Sequence, residues 1–178
     1  ILLETDDGYV VMDPRAAHER VIYEKIMARS DSGKPVSQKL LIPENVQVTP
    51  TAAAKLRQHL EILQKLGFGI AEFGGDDFMI EALPPELIDA PRRELLMDIA
   101  HAMEGSGVRR GAGAWREELI IKAASRASVS SVGALTIKEI EQLVTDLAHA
   151  RMPYTCPRGR PTMILTSYRE LARKFGRD

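Results

Sequence analysis

The segment Cys156-Pro-Arg-Gly-Arg-Pro-Thr162 decides the assignment of this fold. Two prolines and a glycine within seven residues predict a tight turn, because proline fixes φ and glycine permits torsions that other residues avoid. The turn carries a lone thiol and two arginines, and the apolar run that follows it, Met163–Leu165, predicts a strand. A second segment, Asp13–Glu24, begins with Asp-Pro, which is typical of an N-cap and the first helical residue.

Length and composition indicate one soluble domain or two small lobes. The chain has 178 residues, a 44% hydrophobic content sufficient for a core, and a formal net charge of −1. That charge excludes a strong field over the whole molecule, so nucleic-acid binding would require a local basic patch. The single cysteine excludes an internal disulfide and is compatible with a reducing compartment. No apolar run approaches the ~20 residues that a membrane span needs.

Short-range signals predict a mixture of helices and hairpins. In the first hairpin we expect Asp7-Gly8 to supply the positive φ of a tight turn, and Gly74–Asp77 predicts a second hairpin. The helix that begins after Asp13 is expected to end near Arg29. Other helix starts are predicted from N-cap residues and capping boxes at Thr49, Thr136 and Ser167. The residues expected on the buried face of the first helix are Ala17, Val21, Ile22 and Ile26.

Together the two opening segments resemble the C-terminal domain family of MutL from DNA mismatch repair. Endonuclease members of that family carry DQHAxxExxxxE and CPHGRPT at the corresponding places, and the ending Phe175-Gly-Arg177 is similar to the family's FxR. The resemblance implies an α/β (α+β) fold with two lobes. Residues 1–45 and 109–178 would form a dimerisation lobe, and residues 46–108 would form an inserted regulatory lobe.

The resemblance also implies where a metal-dependent nicking site would lie. Three of six expected ligands are kept, and three are replaced, so we expect neither a catalytic residue nor a resident metal. The alternative is a zinc or manganese endonuclease with an altered ligand set. The positions kept are Asp13, Glu19 and Cys156, with Glu24 matching the last acid of the first motif, and the replaced positions are Arg15, Ser125 (followed by Arg126) and Arg158.

The replacements have a physical logic. Arginine stays protonated and offers no lone pair to a cation, yet it brings positive charge to the place of an ion. We therefore expect Arg15 and Arg158 to pair with Asp13 and Glu19. The residues alone also allow plainer interpretations: Asp13 as an N-cap, Glu19 as a solvated helix residue, and Cys156 as a small buried hydrophobe.

A third segment, Gln38-Lys-Leu-Leu-Ile-Pro43, is similar to the family's motif for binding a sliding clamp. An extended peptide with a glutamine and apolar anchors suits docking into an apolar groove. The candidate contact residues are Gln38, Leu41, Ile42 and Pro43. The alternative is an ordinary strand that enters the second lobe.

The resemblance finally implies a role in assembly. We expect a homodimer that recruits a sliding clamp and other mismatch repair proteins, with weak or indirect contact with DNA and a location in the bacterial cytoplasm. The chain opens on Ile1 rather than on methionine, which we interpret as part of a longer protein. The ATPase that the family implies would lie in an N-terminal part that is absent here.

Overall fold

Two units organise the chain in the computed structural model, which describes residues 1–33, 35–104, 112–130 and 135–177. The first unit consists of Ile1–Val21 together with Val132–Asp178, and the second consists of Ile22–Ser131. The predicted lobe boundaries at 45/46 and 108/109 differ from these divisions, and the second of them lies outside the described residues. The roles given to the lobes stay predictions.

The first unit is built on a three-stranded antiparallel sheet. Its strand order is β1-β2-β6, so the strand from near the chain end lies beside the opening hairpin. Met12, Ala17, Val21, Leu143 and Leu147 form the core of this unit. Its elements are β1 (Leu2–Thr5), β2 (Gly8–Met12), the first part of α1 (Pro14–Asp31), α5 (Ile137–Ala148), β6 (Met163–Ser167) and α6 (Tyr168–Lys174).

Gly8 is required by close packing rather than by its torsion. The predicted hairpin forms, with Thr5 opposite Gly8, but Gly8 does not have a positive φ. A Cβ atom at this position would lie 2.3 Å from the Thr166 carbonyl oxygen on the neighbouring strand. The expectation of a positive φ was therefore wrong, because the constraint comes from β6, which is distant in sequence.

The second unit packs helices around another three-stranded antiparallel sheet. Its strand order is β3-β5-β4, and the predicted hairpin between β4 and β5 is confirmed. Leu56, Leu63, Phe68, Phe78 and Leu95 are among its fully buried side chains. Its elements are the second part of α1, β3 (Gln38–Gln47), α2 (Pro50–Lys65), β4 (Gly69–Gly74), β5 (Asp77–Leu83), a 3-10 turn (Pro85–Leu87), α3 (Arg92–Glu104) and α4 (Ala112–Ser130).

Helix α1 belongs to both units, because their boundary falls between Val21 and Ile22. The side chain of Asp13 caps it by accepting hydrogen bonds from the amides of Arg15 (2.9 Å) and Ala16 (3.2 Å). The predicted buried residues are confirmed, and the helix continues two residues beyond the predicted end at Arg29. The predicted cap at Thr49 and the complete capping box at Thr136 are also present. At Ser167, where a capping box was predicted, the serine side chain accepts from the Glu170 amide and so forms the N-cap half of the box.

Candidate functional site

The segment from Cys156 to Thr162 forms a closed turn in the first unit. The Gly159 amide donates to the Cys156 carbonyl (2.8 Å), and the Cys156 amide donates to the Arg160 carbonyl (2.7 Å). Gly159 has φ of 82°, a torsion that side-chain-bearing residues rarely adopt. Cys156 is buried, whereas Arg158 lies exposed within the turn and Arg160 follows Gly159. We call residues 156–160 the arginine turn.

A buried carboxylate of α1 meets this turn. The Glu19 side chain is 2% exposed, and Arg160 Nη2 donates to its Oε1 (2.9 Å) and its Oε2 (2.8 Å). Arg15 Nε lies 3.8 Å from Glu19 Oε1, one helical turn earlier. The pKa of Arg160 lies above its usual value. The larger cause is its hydrogen bond with the Cys156 side chain, and the second is its contact with Glu19. The buried acid is thus matched by a permanent cation.

Arg20 links α1 to Thr155, the residue just before the arginine turn. Its Nε donates to the backbone carbonyl of Thr155 at 2.6 Å, and the residue is only 5% exposed. Two consecutive residues of α1 therefore hold this segment: Glu19 binds the side chain of Arg160, and Arg20 binds the backbone of Thr155. A carbonyl that accepts from a charged guanidinium makes one of the stronger hydrogen bonds in proteins.

The structure changes the predicted pairing of the arginines. Arg15 approaches Glu19 as expected, but Arg158 is exposed and forms no ion pair within the described parts of the chain. Gly159 reverses the backbone after Arg158, so Arg160 reaches the buried acid instead. The interpretation of Glu19 as a solvated residue is wrong, whereas those of Asp13 as a cap and Cys156 as buried are confirmed.

Sequence reasoning missed Arg160. The signal was present, because the second arginine of the arginine turn is unchanged between this chain and the pattern CPHGRPT. The expected pairing was assigned to the replaced positions, Arg15 and Arg158, whereas the arginine that forms the close pair with Glu19 is the retained Arg160. Two arginines in one turn could reach the buried acid. The φ of Gly159, which lies between them, decides which one does, and the sequence does not show that torsion.

The donor set present does not fit a zinc or manganese pair. The two oxygens of Glu19 accept from Arg160, and one oxygen of Asp13 accepts from helix amides. Two positions that would supply histidine ligands hold arginines, which do not ligate cations. In the portions of the chain that the structure describes, no three His, Cys, Asp or Glu side chains form a group able to hold a metal ion.

The remaining predicted site residues belong to the second unit. Ser125 is buried on α4, and Glu24 is half-buried on α1. Arg126 pairs with Asp98 of α3, with Nη2 and Nε both 2.7 Å from Oδ2. This arginine therefore stabilises the packing of two helices within its own unit.

The segment similar to a clamp-binding motif interrupts strand β3. Lys39 pairs with Ala82 and Glu44 pairs with Ile80, so the four residues between Lys39 and Glu44 lie outside the regular ladder. Leu41 is 99% exposed and Ile42 is 78% exposed, whereas Leu40 packs against the core of the second unit. The segment is a strand, as the alternative predicted, and it also presents two apolar side chains. We call residues 40–43 the β3 bulge.

An apolar row crosses the sheet of the first unit. Leu2 is opposite Val11 on β1 and β2, and Val11 is opposite Ile164 on β6. Residues directly opposite one another share a face of the sheet. All three are large apolar residues with at least 46% of their surface exposed. We call Leu2, Val11 and Ile164 the apolar row.

These features define an α+β domain with an exposed apolar row and an arginine-filled turn. Residues 1–135 match the family described as "MutL C terminal dimerisation domain", and the chain belongs to that family. The chain is 42% identical to the DNA mismatch repair protein MutL of Opitutus terrae and 32% identical to that of Chlorobaculum tepidum. The alignments cover 98% and 99% of this chain and 28% of each relative. The predicted resemblance is confirmed.

The residues described here include no helix that is both long and apolar enough to cross a membrane.

Replacing Arg160 tests whether the buried pair stabilises the first unit. We expect Arg160→Gln to lower the free energy of unfolding by about 3 kcal/mol, because it leaves the Glu19 charge buried. This is the low end for a broken buried pair, since the Arg160 side chain is 47% exposed. Arg158→Gln is the matched control and should change the value by less than about 0.5 kcal/mol. Urea unfolding measures both, and equal effects would contradict the assignment.

Proposed function

We propose that this chain is a homodimerising and partner-recruiting domain of a mismatch repair protein, without metal-dependent nicking activity. The observation that carries the proposal is the apolar row on the sheet of the first unit. The curated relatives are named DNA mismatch repair proteins, and the chain spans about 28% of their length. The repair role and the partners therefore belong to this proposal.

The apolar row suits a two-fold symmetric contact. Leu2, Val11 and Ile164 form a continuous strip on three adjacent strands, and water contact with such a strip is unfavourable. A two-fold axis places the same patch of both protomers face to face, so one apolar strip satisfies both partners. Each copy then buries surface that is exposed in the single chain.

Ile164→Glu tests the dimer. We expect the dimer dissociation constant to rise about 30-fold or more, because a carboxylate would be desolvated against the partner's apolar row. Sedimentation velocity from one to tens of micromolar measures the change. Phe73→Glu is the matched control, since Phe73 is 62% exposed on the second unit and should leave assembly unchanged. A monomeric parent chain, or a dimeric Ile164→Glu variant, would contradict the proposal.

The absence of nicking is proposed from the arginine turn. Two positive side chains, Arg15 and Arg160, lie at the buried Glu19 carboxylate and would repel a divalent cation. We expect the purified chain to hold no stoichiometric zinc or manganese, and not to nick supercoiled DNA above background in Mn²⁺. The double variant Arg15→His with Arg158→His should increase metal binding, because it removes two positive charges from the first unit and adds two imidazole ligands. Stoichiometric metal held through Asp13, Glu19 and Cys156 in the parent chain would refute this.

Recruitment of a sliding clamp is proposed from the β3 bulge. Leu41 is 99% exposed, and its neighbour Ile42 is 78% exposed. Pairing between β3 and β5 fixes the chain on both sides of these two residues. Such residues suit insertion into an apolar groove. The partner would be a bacterial sliding clamp.

The double variant Gln38→Ala with Leu41→Ala tests clamp binding. We expect it to weaken binding to a bacterial sliding clamp about tenfold or more, because it removes an apolar anchor that the complex would bury. Surface plasmon resonance measures the affinity, and circular dichroism shows that the fold is retained. Lys39→Ala is the control, an exposed neighbour outside the bulge. Unchanged affinity in the double variant would remove the motif from the proposal.

A further inference from the structure

A cavity of about 350 Å³ lies beside the β3 bulge in the second unit. A cavity of this size is large enough to receive side chains of a binding partner. Most of its lining is apolar and comes from the bulge, and two charged residues complete it. The lining residues are Leu40, Leu41, Ile42, Pro43, Glu44 and Arg92. The cavity therefore places one cation and one anion next to the exposed apolar side chains of the bulge.

The guanidinium group of Arg92 has unused capacity to donate hydrogen bonds. Its Nη1 lies 3.5 Å from Glu44 Oε2, farther than the roughly 2.8 Å of a close charge-assisted pair. Its Nη2 donates to the Ile88 carbonyl at 3.3 Å, and its buried Nε has no hydrogen-bond partner among the described residues. The side chain is 32% exposed. A carboxylate that reaches the cavity could therefore bind Arg92 more closely than Glu44 does.

The position of Arg92 on its helix also favours an incoming carboxylate. Arg92 is the first residue of α3, where the unpaired backbone amides carry partial positive charge. This charge adds to that of the guanidinium group. Glu44 provides the compensating negative charge within the chain, but its side chain is 45% exposed and its contact with Arg92 is long. Glu44 can thus move into solvent when another carboxylate takes its place.

We propose that Arg92 binds a carboxylate of the sliding clamp, beside the groove that receives Leu41 and Ile42, and that Glu44 competes for the same guanidinium group. This contact rests on the recruitment of the clamp proposed above and adds a charged group to the apolar anchors. Apolar side chains provide affinity, whereas a charged contact fixes the orientation of the partner and excludes partners without the matching acid.

Surface plasmon resonance with a bacterial sliding clamp tests the contact through two variants with opposite expected effects. We expect Arg92→Gln to weaken binding about tenfold, because a charge-assisted hydrogen bond is lost. Glu44→Gln should strengthen binding about threefold, because it removes the competing carboxylate. An ion pair that only held the bulge in shape would give weaker binding in both variants.

Two neighbours of Arg92 provide matched controls for the overall charge. Arg93 and Glu94 are exposed on α3 and lie outside the set of residues that line the cavity. Arg93→Gln and Glu94→Gln change the net charge as the test variants do, and each should change the affinity less than twofold. Urea midpoints report folding. A gain of affinity cannot arise from unfolding, so Glu44→Gln keeps the test valid even if Arg92→Gln is destabilised.

The outcomes separate this contact from clamp recruitment itself. Weaker binding by Glu44→Gln would overturn the contact. Unchanged affinity of Arg92→Gln would also overturn it, while a loss of affinity in Gln38→Ala with Leu41→Ala would leave recruitment by the bulge standing. A parent chain that does not bind the clamp would overturn both the recruitment and the contact.

Discussion

The buried carboxylate of Glu19 is the constraint on which the first unit depends. An unpaired charge in that position would cost several kcal/mol, so the fold must bring a cation to it. Arg160 supplies that cation, and the turn geometry at Gly159 makes its approach possible. The adjacent residue on α1, Arg20, fixes the backbone of the same segment. One acid thus links α1 to a turn that lies 141 residues later in the chain.

Local patterns in the sequence predicted most elements correctly. The caps at Asp13 and Thr136 and the hairpin at Gly74–Asp77 depend on neighbouring residues, and all three form as expected. Gly8 was placed correctly for the wrong reason, because its constraint comes from the Thr166 carbonyl on a strand distant in sequence. Prediction from neighbouring residues succeeds where the contacts that fix an element are close in sequence.

The candidate site was predicted only in part, for the same reason. The predicted approach of Arg15 to Glu19 is present, but the choice between the two arginines of one turn depends on tertiary contact. The boundaries of the units were also placed differently, since α1 is a single local pattern that belongs to both units. Periodicity identifies a helix and its buried face, and it does not identify which core each part of that face joins.

The geometry of the β3 bulge has a consequence for the thermodynamics of the proposed clamp binding. Ladder pairs at Lys39 and Glu44 fix the chain on both sides of it, and Leu40 anchors it to a core. Much of the backbone conformational entropy of this segment is therefore lost during folding of the domain and not during complex formation. A flexible peptide of the same sequence would lose that entropy on binding and would bind more weakly for identical contacts. Preorganisation of this kind would also couple the proposed clamp affinity to the integrity of the β3–β5 ladder.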